Sequence, residues 1–297
     1  MPLALLLAGC LACATSVLWI KLSAIEPVLL TALRLSLAAA LLAPWAVRDW
    51  RRRRDELNLS HLRDVAIPAV ALLLHFITWI YGIRLTLATN GTLIVNLTPL
   101  ATPFLLAALS HERVTPREWA ATALAMGGLA ILFASDFHLT PDTLWGDVVC
   151  LASMLLLATY LVLAKRFRHH PTTLLYVTPL YAIAGAIGLA LSPLARSTTP
   201  VDWRQEWLWV ALLVLLPTVL GHSLINQAMR SMRGQLVSVI NMSQFVFAGL
   251  MAWAALGERP TVAFYPAAAL VAAAGVLVAA PRRRPGKPAP FAPEAEG

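Results

Sequence analysis

The chain has 297 residues, of which 59% are hydrophobic and only 13% charged, and its mean hydropathy is +0.72. A soluble domain is nearer half apolar and a quarter charged, so this composition excludes a water-soluble fold and makes lipid the solvent. The net charge of +8 would suit nucleic acid, but the basic residues lie between apolar runs, which is typical of membrane topology signals. We therefore expect no nucleic-acid partner.

Apolar runs of about 20 residues, the length that crosses roughly 30 Å of hydrocarbon, recur along the chain. Backbone groups in hydrocarbon must be hydrogen-bonded internally, and runs of this length suit helices rather than barrel strands. In chain order, the predicted spans cover residues 3–20, 28–47, 65–82, 88–109, 119–135, 146–164, 174–191, 208–228, 235–256 and 262–280. The sequence thus predicts an all-α integral membrane protein with ten transmembrane helices.

The pattern of one stretch of the chain is repeated in the second half of the sequence. Residues 90–119 and 235–261 are both apolar runs with Asn, Ser, Thr or Gln, followed by Glu-Arg and a turn. The Glu-Arg pairs begin at Glu112 and Glu258, 146 positions apart (258 − 112), which indicates two copies of one unit. Five spans per copy, an odd number, invert the second copy, as in many secondary transporters. We predict repeats at 1–135 and 146–280.

The basic residues set the orientation. Segments on one side of the predicted membrane hold 17 of the 23 Lys and Arg residues, and segments on the other side hold five, with Arg34 inside the second span. Because positive loops stay in the cytoplasm, we expect both termini to be cytoplasmic and the membrane to be the inner (plasma) membrane. The tail 281–297 is rich in Pro and charge, so we expect it to be disordered.

Several short motifs together resemble one family: the drug/metabolite transporter superfamily, in its ten-helix EamA-type branch. The resemblance covers residues 3–280 as two EamA-like repeats, and its marks are Trp19-Ile20-Lys21, Pro27, Arg34, Leu97-Thr98-Pro99-Leu100, Glu112-Arg113 and Gly257-Glu258-Arg259. It implies a cavity between the repeats near the middle of the membrane. The second repeat has Phe245 where the family commonly has proline, thirteen residues before Glu-Arg. A kink in the ninth span is therefore either absent or made in another way.

Polar side chains within spans face a cavity or another helix, because facing lipid is costly. His75 with Trp79, and His222 with Asn226, are spaced four residues apart and so share a helix face. The candidate substrate-binding residues are His75, Trp79, Asn96, Thr98, Tyr160, His222, Asn226, Asn241 and Gln244. The alternative is that they only join helices, at about 0.6 kcal/mol per hydrogen bond. We expect Pro99 and Pro217 to kink their helices, and Glu112 and Glu258 to hold turns.

All acidic residues lie at span ends, in loops or in the tail, so a proton-coupled exporter of cationic drugs is not expected. The favoured function is alternating-access transport of a small metabolite, with an amino acid or similar neutral or zwitterionic solute as the leading class. The alternatives are a flippase for lipid or a lipid-linked carrier, which needs a groove open to the bilayer, and a membrane assembly protein, which needs only a dry bundle.

The remaining expectations concern chemistry and partners. The chain has no nucleotide-binding loop or nucleophile triad, so we expect neither an enzyme nor a cofactor. Its cysteines, Cys10, Cys13 and Cys150, have no metal-ligand spacing, and His169-His170 alone are too few for a metal centre. We therefore predict no metal site. The expected partners are a small-molecule solute and membrane lipid, and the expected state is a monomer or weak homodimer.

Overall fold

The structure is a computed structural model that describes residues 2–56, 59–195, 201–256 and 259–280. Over these ranges the chain forms helices and turns and no strand, which confirms the all-α fold class. The predicted disordered tail 281–297 lies outside the described residues. So does Glu258.

The helices follow the ten predicted spans, and we number them accordingly. They are α1 (Pro2–Ala14 and Ser16–Leu22), α2 (Pro27–Arg53), α3 (Leu59–Leu85), α4 (Ala88–Val95, Thr98–Leu105 and a π-helical turn Leu106–Ser110), α5 (Pro116–Asp136), α6 (Pro141–Arg166), α7 (Thr173–Leu191), α8 (Trp203–Leu213, π-helical Val214–His222 and Ser223–Ser231), α9 (Gly234–Asn241 and Ser243–Leu256) and α10 (Phe264–Ala279).

Nine of these segments, within the described ranges, are long and apolar enough to cross a membrane. The tenth, α10, has 16 residues, fewer than the roughly 20 that a perpendicular span needs. It is as apolar as the others and contains alanine and glycine along most of its length. The prediction of ten spans therefore corresponds to nine full-length helices and one shorter helix.

Helix pairing shows how the two halves are built together. Equivalent helices of the two halves pack on each other, α2 with α7 and α5 with α10. Helix α3 packs on α6. Their equivalents in the opposite halves, α8 and α1, pack on each other in the same way. The middle segment of α4 also packs on the first segment of α9. This pattern is the one expected of two inverted five-helix repeats.

Local sequence explains where the helices begin. Pro27 follows Glu26, whose carboxylate accepts hydrogen bonds from the first-turn amides of Val28 and Leu29 at 2.8 and 3.0 Å. A proline in the first turn and a capping acceptor are the standard helix start. Thr115 and Glu118 form a capping box at the start of α5. These residues therefore fix where α2 and α5 begin.

Four helices are interrupted, and one of the breaks falls at Thr15 in α1. In α4 the break falls at Asn96 and Leu97, just before Pro99, which has no amide hydrogen to continue the ladder. In α8 the π-helical stretch contains Pro217. In α9 the break falls at Met242 without any proline. Thus Phe245 does not prevent an interruption in the second repeat, and the break there forms without a proline.

Candidate functional site

A central cavity of about 70 Å³ lies between the two halves. It is bounded by α1, α2, α3, α4, α6, α8 and α9. Seven of the nine candidate residues line it, together with the kink residue Pro99: His75, Trp79, Asn96, Thr98, His222, Asn241 and Gln244. The interrupted helices α4 and α9 both contribute residues at or beside their breaks. The residues predicted to kink helices and those predicted to bind solute therefore lie together at this cavity.

The two candidate histidines lie on facing helices at this cavity. The ring centroids of His75 and His222 are 6.4 Å apart. Nδ1 of His75 lies 2.9 Å from the Ser153 hydroxyl and 3.0 Å from the Ser153 carbonyl oxygen, so α6 holds this ring in place. Nδ1 of His222 is buried and has no hydrogen-bond partner among the described residues. The His222 ring therefore keeps an unused polar atom at the cavity.

Tyr160 and Asn226 do not line the cavity. Both are fully buried, and the Asn226 side-chain amide donates hydrogen bonds to the Tyr160 hydroxyl and, at 2.6 Å, to the His222 carbonyl oxygen. The Tyr160 ring centroid lies 6.0 Å from that of His222. These two residues thus join α6 to α8 beside His222. For them, the alternative stated for every polar span residue applies: they join helices.

The residue that the candidate set missed is Arg34 on α2. It lines the cavity, is only 1% exposed, and its Nε donates a hydrogen bond to the Thr218 hydroxyl. Its guanidinium carbon lies 3.8 Å from the centre of the Phe76 ring, a cation–π contact. Nη1 of Arg34 has no hydrogen-bond partner among the described residues.

Arg34 is therefore a buried cation without a matching acid. In the part of the chain that the structure describes, no carboxylate lies within 4.0 Å of it, and no Asp or Glu lines the cavity. A charge inside a span is costly and marks a functional site by default. That signal was present in the sequence, because Arg34 is a basic residue inside a predicted span.

Ion pairs close the end of the bundle that the basic residues predict to be cytoplasmic. Glu112 lies 3.2 Å from Lys165 at the end of α6, and its carboxylate also accepts a hydrogen bond from the Gly234 amide at 2.9 Å. Arg233 donates hydrogen bonds to both oxygens of Glu118, one of them at 2.8 Å, and these bonds raise the pKa of Arg233. Loops of the first half are thus tied to the second half.

The opposite end of the bundle is different. A groove of about 310 Å³ reaches the loop residues Arg259, Pro260 and Thr261 there. Four residues line both this groove and the central cavity: Ala14, Val17, Thr92 and Ala248. At the ion-paired end, a depression of about 620 Å³ lined by residues 109–112 and 165–169 shares no lining residue with the cavity. Among the described residues, the cavity therefore borders the groove and not the depression at the ion-paired end.

Known proteins place the chain in a family. The profile of the EamA-like transporter family matches residues 1–134 and again residues 144–280. The chain belongs to the EamA-like transporter family. The resemblance to the drug/metabolite transporter superfamily is thereby confirmed, with one match on each half of the chain. Membership makes this a multi-pass membrane protein of a transporter family, and it carries no statement about the solute.

Two individual relatives add to this. The chain is 23% identical over 206 residues to a Bacillus subtilis (strain 168) protein described as the uncharacterized transporter YyaM. The match covers 66% of each chain, just under two thirds of the relative's length. A solved crystal structure of a protein resembles this fold with a TM-score of 0.75 at 22% identity, over 94% of this chain and 96% of that one. This likeness shows the fold alone.

Proposed function

We propose that the protein is a secondary transporter that moves a small amino acid, or a similar neutral or zwitterionic solute, by alternating access. The observation that carries this proposal is Arg34: a buried guanidinium at the central cavity with an unused donor and no acidic partner among the described residues. A carboxylate is the natural complement, because it accepts charge-assisted hydrogen bonds from a guanidinium. A cationic solute would instead be repelled.

The rest of the lining suits the other end of such a solute. The side-chain carbonyl oxygens of Asn96, Asn241 and Gln244 can accept hydrogen bonds from an ammonium group, and the ring of Trp79 offers a face for a cation or an apolar side chain. With one fixed positive charge and no fixed negative charge, the site favours solutes of net charge zero or minus one. A cavity of about 70 Å³ favours a small solute.

In the proposed cycle, the central cavity opens first to one side of the membrane and then to the other. In support of this, the cavity shares four lining residues with the groove at the end predicted to be external, and the Glu112–Lys165 and Arg233–Glu118 pairs join the two halves at the other end. Rocking of the two inverted repeats, with Pro99 and Pro217 at the hinges and α5 with α10 as scaffold, would break those pairs and open that end. The cycle needs no cofactor or covalent chemistry. One chain contains the whole cavity, so a monomer suffices.

A second candidate function rests on the groove. Its lining includes the apolar side chains of Val17, Leu18, Leu93, Phe245 and Phe264, which suit an acyl or isoprenoid chain. A lipid or lipid-linked carrier could place its polar head in the central cavity and its tail in this groove. The existence of a polar cavity argues against the dry-bundle assembly protein.

The test is uptake of a pooled set of labelled amino acids into proteoliposomes. Arg34→Gln removes the charge and Arg34→Lys keeps it without the planar fork, so we expect uptake to fall at least a hundredfold in the first and about tenfold in the second. Arg48→Gln is the matched control, because Arg48 is on the same helix but exposed. It should leave uptake unchanged.

A competition experiment on the unaltered chain keeps the test independent of folding. Amino acids should inhibit uptake of the labelled solute, while the corresponding amines without a carboxylate should not. Equal inhibition by the amines, or full uptake by Arg34→Gln, would refute the carboxylate role of Arg34. Uptake of a labelled lipid-linked sugar with no uptake of amino acids would favour the second candidate.

A further inference from the structure

The end of the bundle predicted to be cytoplasmic contains a cluster that the transport cycle does not use. Asp64, near the start of α3, and His169 with His170, in the connection between α6 and α7, place their ligand atoms within 4.8 Å of one another. His169 Nε2 lies 2.9 Å from Asp64 Oδ2, a contact between residues 105 positions apart. The fold thus adds a carboxylate to the histidine pair that by itself looked insufficient.

His170 is the unusual member of this cluster. It is only 3% exposed, and neither of its ring nitrogens has a hydrogen-bond partner among the described residues. Burying a polar group without a partner is unfavourable, so such groups in native proteins call for an explanation such as an ion.

Further imidazole surrounds these groups. The ring of His61, one turn before Asp64 on α3, has its centroid 4.8 Å from that of His170 and 5.4 Å from that of His169. On the other side, the Tyr176 ring closes the cluster at 5.2 Å from His170. Arg230 also lies beside the cluster, and it donates to the backbone carbonyl oxygens of Arg168 and His170, not to the ring nitrogens.

We propose that Asp64, His169 and His170 form a binding site for a divalent transition-metal ion of the Zn²⁺ class, with water or His61 as the fourth ligand. Imidazole with one carboxylate suits Zn²⁺ or Co²⁺, whereas Mg²⁺ and Ca²⁺ prefer all-oxygen sites. Ligands about 2.0–2.1 Å from Zn²⁺ in a tetrahedron lie about 3.3 Å apart. The ligand atoms here lie within 4.8 Å of one another, so the most distant pair must move closer by up to about 1.5 Å.

The surroundings permit both this movement and the arrival of an ion. The His169 side chain is 50% exposed and that of Asp64 is 24% exposed, so both can rotate toward the buried His170. His169 also lines the depression of about 620 Å³ at this end, which gives water and ions a path to the site. A bound ion would tie the start of α3 to the connection between α6 and α7. None of the three ligands lines the central cavity.

The experiment uses the full, untagged chain in detergent, stripped of metal with a chelator. Zn²⁺ binding is measured by titration calorimetry, and Co²⁺ binding by the visible absorption that marks tetrahedral nitrogen and oxygen ligation. We expect one ion per chain and a rise in Tm on Zn²⁺ addition. His170→Ala and Asp64→Asn should each weaken binding at least tenfold. His138→Ala is the matched control, because His138 is an exposed loop histidine outside the cluster and should change nothing.

His169→Ala guards against misfolding, since its half-exposed side chain can be removed without opening the core. It too should weaken Zn²⁺ binding at least tenfold while the metal-free Tm stays as in the unaltered chain. The proposal is overturned if the unaltered chain binds neither ion, or if its Zn²⁺ affinity and stoichiometry are unchanged in His169→Ala and His170→Ala. Mg²⁺ binding with the same affinity would also overturn the assignment to a transition metal.

Discussion

The two ends of the bundle are built from equivalent loops of inverted repeats, yet they differ in what holds them. At the end predicted to be cytoplasmic, Glu112 and Glu118 of the first half bind Lys165 and Arg233 of the second half. At the other end the central cavity runs into a groove whose loop residues include a hydrogen bond from Thr261 to Asp136 at 2.9 Å but, among the described residues, no ion pair across the groove.

The difference teaches that, among the described residues, the ion pairs of Glu112 and Glu118 with the second half lie at one end of the bundle. Exposed ion pairs contribute little to stability, but these acids are largely buried, with side-chain exposures of 13% for Glu112 and 4% for Glu118. Buried pairs are costly to break one partner at a time. A closed end held by such pairs has two discrete states, paired or separated, which is the property that a gate in an alternating-access cycle needs.

The largest expected effect comes from filling the passage at the open end. Ala248 lies where the cavity and the groove meet, so Ala248→Trp should block solute passage and reduce uptake into proteoliposomes at least a hundredfold. Ala272→Trp is the matched control, because Ala272 is exposed on α10 and should face lipid. Equal uptake by both variants would show that the passage is not the route.

The next effect tests the closed end. Glu112→Gln leaves Lys165 buried without its acid, and we expect the free energy of unfolding in detergent to fall by about 3 kcal/mol. The double variant Glu112→Gln with Lys165→Met removes both charges and should recover most of that loss. If the single and double variants are equally destabilised, the pair contributes nothing specific to this end.

The smallest effect separates two asparagines that the sequence could not distinguish. Asn241 lines the cavity, whereas Asn226 is buried behind His222. We expect Asn241→Ala to lower the transport kcat/KM about tenfold with little change in Tm. Asn226→Ala should cost about 1–2 kcal/mol of stability through lost buried hydrogen bonds, with kcat/KM changed less than threefold. The reverse pattern would mean that the cavity lining does not contact the solute.

Much of the fold could be predicted because lipid imposes a simple rule. Apolar runs predicted every helix, and the repeated Glu-Arg pair predicted that the chain contains two copies of one unit. The break in α9 could not be predicted from proline, since none stands at Phe245; it falls at Met242, where the Asn241 side chain accepts a hydrogen bond from Gln244 at 2.6 Å. The short length of α10 was also missed, because apolar composition alone does not show where a helix begins.

The candidate site was predictable in composition but not in arrangement. A polar residue inside a span signals burial against something, and the sequence does not say whether that is a cavity, as for Asn241, or a neighbouring hydroxyl, as for Asn226 and Tyr160. The role proposed for Arg34 could be inferred only from its neighbours in the fold. Likewise His169 and His170 needed Asp64, which only the packing of α3 beside the connection between α6 and α7 supplies.

The most direct test of the central claim is counterflow in proteoliposomes without any imposed gradient. Vesicles that contain the unaltered protein are loaded with an unlabelled amino acid and diluted into a trace of the same labelled compound. One cavity that opens alternately to each end predicts transient accumulation of label above its equilibrium level, which amino acids suppress and the matched amines do not. Simple equilibration of label, or the absence of any flux for every amino acid, would contradict the account.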